Sequence, residues 1–588
     1  MRSELVWKVG GEQGSGIEKP GEVFLTACNR LGYYTFGYRN FMSRIKGGHT
    51  NYQVRISHRP VSAVGDHTDV LVIDAKGAQE SIDRNLAEMS DGGVILADTT
   101  MKATVPEGAR VQLMTVPFHG IAGELGSDLY WNMVAMGATS AVTGLNLDAF
   151  RELVQKTFGR KGEQIVQTNY AALERGYNYI KEHYADVPHL QIAPISHPQV
   201  RPSLEGDYAA AFGALAGGCR FLAAYPITPA SMIMEWMARE VPKVGGAVVQ
   251  AEDEMSAVLM AIGANYAGAR AMTSTSGPGF SLMQEALGLA GLTETPLVIV
   301  DVQRAGPATG LPTKPEQGDV NEMVYGSHGE IPRVVIAPGT IEECFYDMAE
   351  AFNLADRHQC PVIVAMDLTL GMGKMTVENF DLSRIRIDRG KIMRSEDIRA
   401  LTDGFLRYLD QPDGISPRAL PGTKGAAHLS SADEHDWEGR ITEEQEIRTR
   451  IHDKRLRKVA SVDFPGITWH GVQDPNLLLV GFGSTTGPMC EAAERLNAAG
   501  ERVSVLQVRR LWPFPAEEVQ PVLERCPHVV VCEHNATGQL AHLIRAECGG
   551  PELPGLRKYD GDPFRPAEIE RVGKEVLNNA RDNNTRIA

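Results

Sequence analysis

Six continuous apolar runs between residues 219 and 367 constrain this chain more than any other feature: "CRFLAAYPITP", "GAVVQAEDE", "ARAMTSTSGPG", "PLVIVDVQRAGP", "PRVVIAPG" and "CPVIVAMD". A strand with one wet face alternates apolar and polar residues, whereas an unbroken apolar run marks a parallel strand covered on both faces. Helix-patterned segments separate the runs, and most runs close on glycine, proline or small hydroxyl residues. That order predicts a doubly wound parallel sheet, with ligands held outside the carboxyl ends of its strands.

The flanking sequence repeats the α/β pattern. "LVWKVGGEQGSGIEKPGEVFLTACNRLGYYTFGY" reads as strand, glycine loop, amphipathic helix and second strand, followed by strand candidates "DVLVIDA" (69–75) and "GGVILADTT" (92–100). We divide the chain into an N-terminal α/β domain (1–190), a proline-dotted linker (191–206) and the doubly wound domain (207–385). A polar connector (386–470) and a third α/β domain (471–588) complete it. The connector is expected on the surface, with a helix near 441–459. A chain of 588 residues has length for several such cores.

Composition removes several function classes. A net charge of −16 argues against nucleic acid as the main partner, because phosphate binding needs a basic face. The eight cysteines are scattered with no C-x-x-C pair, unlike the clustered ligands of iron–sulfur or structural zinc sites. No apolar run reaches the length of a membrane span, and no signal peptide precedes the first strand. A soluble cytoplasmic protein is the expectation.

Each candidate site residue also has a plain structural reading. The loop Gly10–Gly16, with Gly11, Gly14, Ser15 and Gly16, offers amides at a helix start to an anion, or is a tight turn. "YRNFMSRIKGGHTNYQVRIS" (38–57) gathers Arg39, Ser43, Arg44 and Lys46, which suit a carboxylate or phosphate, or form a solvated basic edge. "AAYPITPAS" presents Thr228 between two prolines, "TSTSGPG" opens a helix after Ser276 and Gly277, and "QRAGPATGLPT" places Arg304 and Thr313 at a third strand end. Three permissive loops at neighbouring strand ends define one crevice. In "AEDEMSA" (251–257), Glu252 and Asp253 suit a helix cap, while Glu254 leads into an apolar helix and is expected to point inward. A buried carboxylate is costly, and such residues mark functional sites.

Taken together, "YPITPAS", "QAEDEMSAVLMAIGANYAGARAMTSTSGPGFSLMQEALG" and "RAGPATGLPT" resemble the α subunit of 2-oxoacid:ferredoxin oxidoreductases. The N-terminal domain resembles that family's γ domain fused ahead of α, and the last its transketolase C-terminal-like domain. The fusion is most like the 2-oxoglutarate-specific members. The resemblance implies thiamine diphosphate, with Glu254 at N1′ of the aminopyrimidine, promoting loss of the C2 proton. Pro226, Ile227, Ser276 and Gly277 would line the cofactor. Thr228, Arg304 and Thr313 would meet the 2-oxoacid, with Ser43, Arg44 and Lys46 at its distal carboxylate, and the Gly11–Gly16 loop is the candidate for coenzyme A. No GDG diphosphate motif occurs; "GDPF" (561–564) is a poor substitute. The resemblance therefore assigns Mg²⁺ and a 4Fe–4S cluster to a separate β subunit, with ferredoxin as acceptor and an (αβ)₂ heterotetramer as the assembly. Pyruvate, branched-chain and aryl 2-oxoacids are alternative substrates, and a non-catalytic assembly scaffold is the alternative of another class.

Overall fold

The computed structural model describes residues 1–43, 48–74, 78–187, 190–402 and 404–585. Two compact units emerge: residues 1–204 with 372–379 and 564–568, and residues 205–371 with 380–563 and 569–588.

The first unit is built on a mixed eight-stranded sheet. From one edge it runs Val111–Val116, Met89–Asp98, Thr68–Ile73, Glu4–Glu12, His49–Ser57, Tyr34–Asn40, Lys374–Thr376 and Ser203–Glu205. The first four are mutually parallel, and the predicted apolar strands lie there. His49–Ser57 instead pairs antiparallel with both neighbours. Its mixed sequence, "HTNYQVRIS", gave no strand signal; Arg55 is buried because it forks onto Glu4, at 2.9 and 3.0 Å. Trp7 stacks on Phe24 in the core, ring centroids 4.5 Å apart.

The second unit carries the doubly wound sheet. Its parallel strands are ordered Val334–Ile336, Pro361–Asp367, Leu297–Gln303, Ala271–Thr275, Phe221–Ala224 and Ala247–Gln250. All six apolar runs are strands of this sheet. Phe221–Ala224 has Ala247–Gln250 on one side and Ala271–Thr275 on the other. The chain leaves Phe221–Ala224 toward the edge strand Ala247–Gln250 and leaves Ala271–Thr275 toward Leu297–Gln303, in opposite directions, which opens a crevice at their carboxyl ends. Arg510–Trp512 adds an antiparallel edge strand next to Val334–Ile336. A five-stranded sheet formed by Ile467–Gly471, Val503–Val508, Leu477–Gly481, Val529–Glu533 and Gly555–Arg557 packs into the same hydrophobic core.

Most of the polar connector is exposed or half-buried, as expected, but some of its charged residues are buried. Its helix, Gln445–Arg457, is where the charge pattern put it, yet Lys454 and Arg455 on that helix and Lys458 just beyond it are buried. Both lysines pair with Glu294, also fully buried, which makes their burial tolerable. Tyr408, Arg418 and His435 of the connector are buried too. No helix among the described residues is long and apolar enough to cross a membrane.

Candidate active site

The three acids of "AEDEMSA" separate as soon as the helix begins. Asp253 is the N-cap of helix Glu254–Tyr266: its Oδ1 accepts from the Ser256 amide at 2.7 Å, and Ser256 completes a capping box. These hydrogen bonds lower its carboxyl below the usual carboxylate range. Glu252 is exposed. Glu254, the first helical residue, is 6% exposed and shares the inward face with Ala257, Val258, Ala261, Ile262 and Asn265. That i, i+3, i+4, i+7 spacing turns the carboxylate into the protein.

Glu254 is seated by a glycine. A Cβ built on Gly279 would lie 2.5 Å from Glu254 Oε1 and 2.2 Å from Thr275 Oγ1, so only glycine lets the two segments close. Gly279→Ala should therefore push Glu254 out of place. We expect a stability loss of about 1–3 kcal/mol from overpacking and turnover about a hundredfold lower from misplacement, read by calorimetry and steady-state kinetics. Ser276, the N-cap of the helix Gly277–Leu282, is fully buried with no partner for its Oγ. Gly277 follows at the same strand end, and a Cβ there would meet the Asp319 carboxyl at 2.7 and 2.8 Å.

Arg304 lies just beyond strand Leu297–Gln303 and is 8% exposed. Its Nη1 donates to the carbonyl of Thr228 at 2.7 Å, tying two strand-end loops together. Pro226 and Ile227 precede Thr228 in the first loop, and Pro226 is exposed. Thr313 is buried at the foot of the second, where the Ala305 amide donates to the Lys314 carbonyl at 3.0 Å. Burial pushes the guanidinium below the usual arginine range, against Asp319, Asp301 and Glu254, which pull it back up. Thr228, Glu254, Ser276, Gly277 and Arg304 are thus brought to one end of four adjacent strands.

Two acids here were passed over in the sequence. Asp301 is fully buried within strand Leu297–Gln303, and neither carboxyl oxygen has a hydrogen-bond partner. Burial, then Asp319 and Glu322, push its carboxyl well above the usual range. Asp319 precedes helix Val320–Tyr325, its Oδ2 buried without a partner. Burial, then Glu322 and Glu316, push it up to about 7, against the pull of Arg304. The signal for Asp301 was an acid inside "VIVDVQ"; "PEQGDV" carries none for Asp319.

In the other unit, Gly14 and Gly16 line a cavity of about 310 Å³ with Gln13, Arg39, Phe41 and Asn51. Ser15 closes the turn by donating to the Glu12 carbonyl at 2.7 Å. Gly11 sits in the strand, where a Cβ would meet Ile17 Cδ1 at 2.7 Å. Arg39 pairs with Glu18, which partly neutralises the basic edge. Ser43 is exposed; Arg44 and Lys46 lie outside the described residues.

Comparison with known proteins defines the class first. The thiamine diphosphate-binding domain of pyruvate flavodoxin/ferredoxin oxidoreductases matches residues 212–454. Pyruvate ferredoxin/flavodoxin oxidoreductase matches residues 6–179, and core domain II of pyruvate:ferredoxin oxidoreductase matches 476–569. The chain is an oxidoreductase subunit with a thiamine diphosphate-binding domain.

Full-length relatives then narrow it. The α subunit of a Sulfolobus 2-oxoacid:ferredoxin oxidoreductase is 32% identical over 630 residues, covering 97% of each chain. The 2-oxoglutarate oxidoreductase subunit KorA of Mycobacterium tuberculosis is 30% identical, covering 97% of this chain and 91% of that one. The structure of 2-oxoglutarate:ferredoxin oxidoreductase from Magnetococcus marinus, with 2-oxoglutarate, coenzyme A and succinyl-CoA bound, superposes with a TM-score of 0.91. It is 33% identical and covers 98% of this chain and 100% of that one. The chain belongs to the 2-oxoacid:ferredoxin oxidoreductase family, as an α subunit.

Proposed function

We propose that this α subunit oxidises 2-oxoglutarate with coenzyme A and ferredoxin to succinyl-CoA and carbon dioxide, in the cytoplasm, within an (αβ)₂ assembly. The observation that carries the reading is the buried Glu254 carboxylate, held over Gly279 beside the Arg304 loop at the crevice of a parallel sheet. The relatives named for 2-oxoglutarate, and the bound 2-oxoglutarate in the similar structure, support the substrate.

The residues present fit thiamine diphosphate: a buried carboxylate, a partnerless buried hydroxyl at Ser276, and a glycine cradle that a Cβ would fill. When bound, the cofactor supplies a carbon nucleophile for the keto group and a sink for the electrons left by decarboxylation. Glu254 would hold the proton at N1′ of the pyrimidine, with Pro226, Ile227, Ser276 and Gly277 around it. Arg304, Thr228 and Thr313 would orient the 2-oxoacid. Coenzyme A would use the cavity at Gly14 and Gly16, on the loop that also holds Ser15. Mg²⁺, diphosphate and a 4Fe–4S cluster would belong to the β subunit.

A partner is supported by the helix that carries Glu254. Its outer face exposes Met255, Leu259 and Met260, at 49%, 45% and 42%, an apolar stripe of the kind that subunit contacts cover. The test is 2-oxoglutarate-dependent reduction of a viologen dye by the chain alone and with its β subunit. Activity is expected only in the assembly, with 2-oxoglutarate preferred over pyruvate, branched-chain and aryl 2-oxoacids. Activity of the isolated chain would overturn the division of labour, and preference for another acid would overturn the substrate.

A further inference from the structure

The role proposed for Arg304 leaves a question of charge. Glu254, Asp301 and Asp319 all act on this one guanidinium, which forms no ion pair among the described residues. With all three acids ionised, the group would carry a net charge of −2, and it would repel the carboxylate of any 2-oxoacid. Asp301 cannot readily relieve this by pairing, since both of its oxygens are buried without a partner, and the same holds for Asp319 Oδ2. A carboxyl oxygen enclosed without a donor makes ionisation costly and favours the protonated form.

We propose that Asp319, acting with Asp301, is a proton-holding positioning residue: its protonation removes a negative charge that would repel the substrate carboxylate from Arg304, so that 2-oxoacid binding takes up a proton. The inference rests on the 2-oxoacid reading of the site. Asp301 and Arg304 face the pair from strand Leu297–Gln303 and its following loop, and Glu254 acts on Arg304 from its own helix. Glu316 acts from the loop before Asp319, and Glu322 from the helix after it, with Glu322 Oε2 accepting from Ser281 Oγ at 3.0 Å. The backbone of Gly277 lies against the Asp319 carboxyl. Apart from Arg304, the groups that act most strongly on the two carboxyls are acids, so this environment favours the protonated form. Asp301 is fully buried with both oxygens enclosed, whereas Asp319 is half-buried with only Oδ2 enclosed, so Asp319 is the member able to exchange its proton with solvent.

In the holoenzyme with its β subunit, KM for 2-oxoglutarate should rise above about pH 7, by at most about tenfold per pH unit for one proton. Calorimetric binding of a non-reacting 2-oxoacid analogue, in buffers of different ionisation enthalpy, should show proton uptake. Asp319→Asn should abolish that uptake and flatten the pH slope of kcat/KM, and Asp319→Glu should restore both. Asp301→Asn should retain the slope, because Asp319 still titrates. A pH slope and proton uptake in Asp319→Asn equal to those of the unaltered enzyme would overturn the proposal. If no 2-oxoacid binds the unaltered enzyme, the functional reading fails instead. The proton-holding pair is then still tested by infrared difference spectra across neutral pH, which must show a protonated-carboxyl band that Asp319→Asn removes.

Discussion

Glu254→Gln lowers the turnover of the assembled enzyme by about 10²–10⁴-fold, the range lost with a general acid–base group. The substitution keeps the side-chain volume beside Gly279 and Thr275, so packing is preserved. Glu254 forms no ion pair among the described residues, but its charge acts on the buried Arg304, so KM for the 2-oxoacid is followed beside turnover. With Glu254 at N1′ as proposed, the substitution removes the group that would hold that proton. Dye reduction at saturating 2-oxoacid measures the effect, while cofactor content and thermal unfolding establish that the site and fold persist. Full turnover at full cofactor content would take Glu254 out of the proton chemistry. Loss of cofactor content in step with turnover would make it a binding residue only.

The largest stability effect belongs to a residue far from this chemistry. Glu294→Gln should destabilise the second unit by about 3–5 kcal/mol, because it strands Lys454 and Lys458, both at 0% side-chain exposure. Lys458 Nζ lies 2.8 Å from Glu294 Oε2, Lys454 bonds the other oxygen, and Arg407 donates to the Glu294 carbonyl at 2.8 Å. Burial alone would raise the Glu294 carboxyl, but Lys454, Lys458 and Arg407 overrule it and hold the carboxyl far below the usual range. Its contribution to stability is therefore complete above about pH 4.5 and is lost as pH falls well below that. One carboxylate cannot satisfy both lysines, and burial pushes Lys454 down to about 8. Between about pH 8 and 10.5 the unfolded chain holds the extra proton, so stability from this group rises with pH. Calorimetric unfolding of both proteins across pH reads the difference. A Glu294→Gln protein as stable as the original would show that the ion cluster contributes nothing to the fold.

The fate of the acids shows how far the sequence reached. Glu254 was legible because its inward turn is set locally, by a strand end, a cap at Asp253 and an apolar helix spaced at i, i+3 and i+4, while its seat against Gly279 was not. Asp301 was equally local, an acid inside an apolar strand, and deserved the same suspicion. Asp319 was not legible, since its loop is polar and only the approach of Gly277 and the strand end encloses its Oδ2, the residue itself being half-buried. The buried lysines of the connector were hidden for a related reason. Lys454 and Glu294 are 160 residues apart, and a lysine reads as exposed until its partner is known.

By itself, the sequence determined the parallel sheet of the second unit, the strand-end loops that carry Thr228, Ser276 and Arg304, and the inward turn of Glu254. Hydrophobic periodicity and caps act within a few residues, so they can be read along the chain. Only the tertiary structure decided which charges face one another: Asp301 and Asp319 around Arg304, and Lys454 and Lys458 on Glu294. Those choices depend on distance and burial in space, and electrostatic energy in a protein interior is set by both.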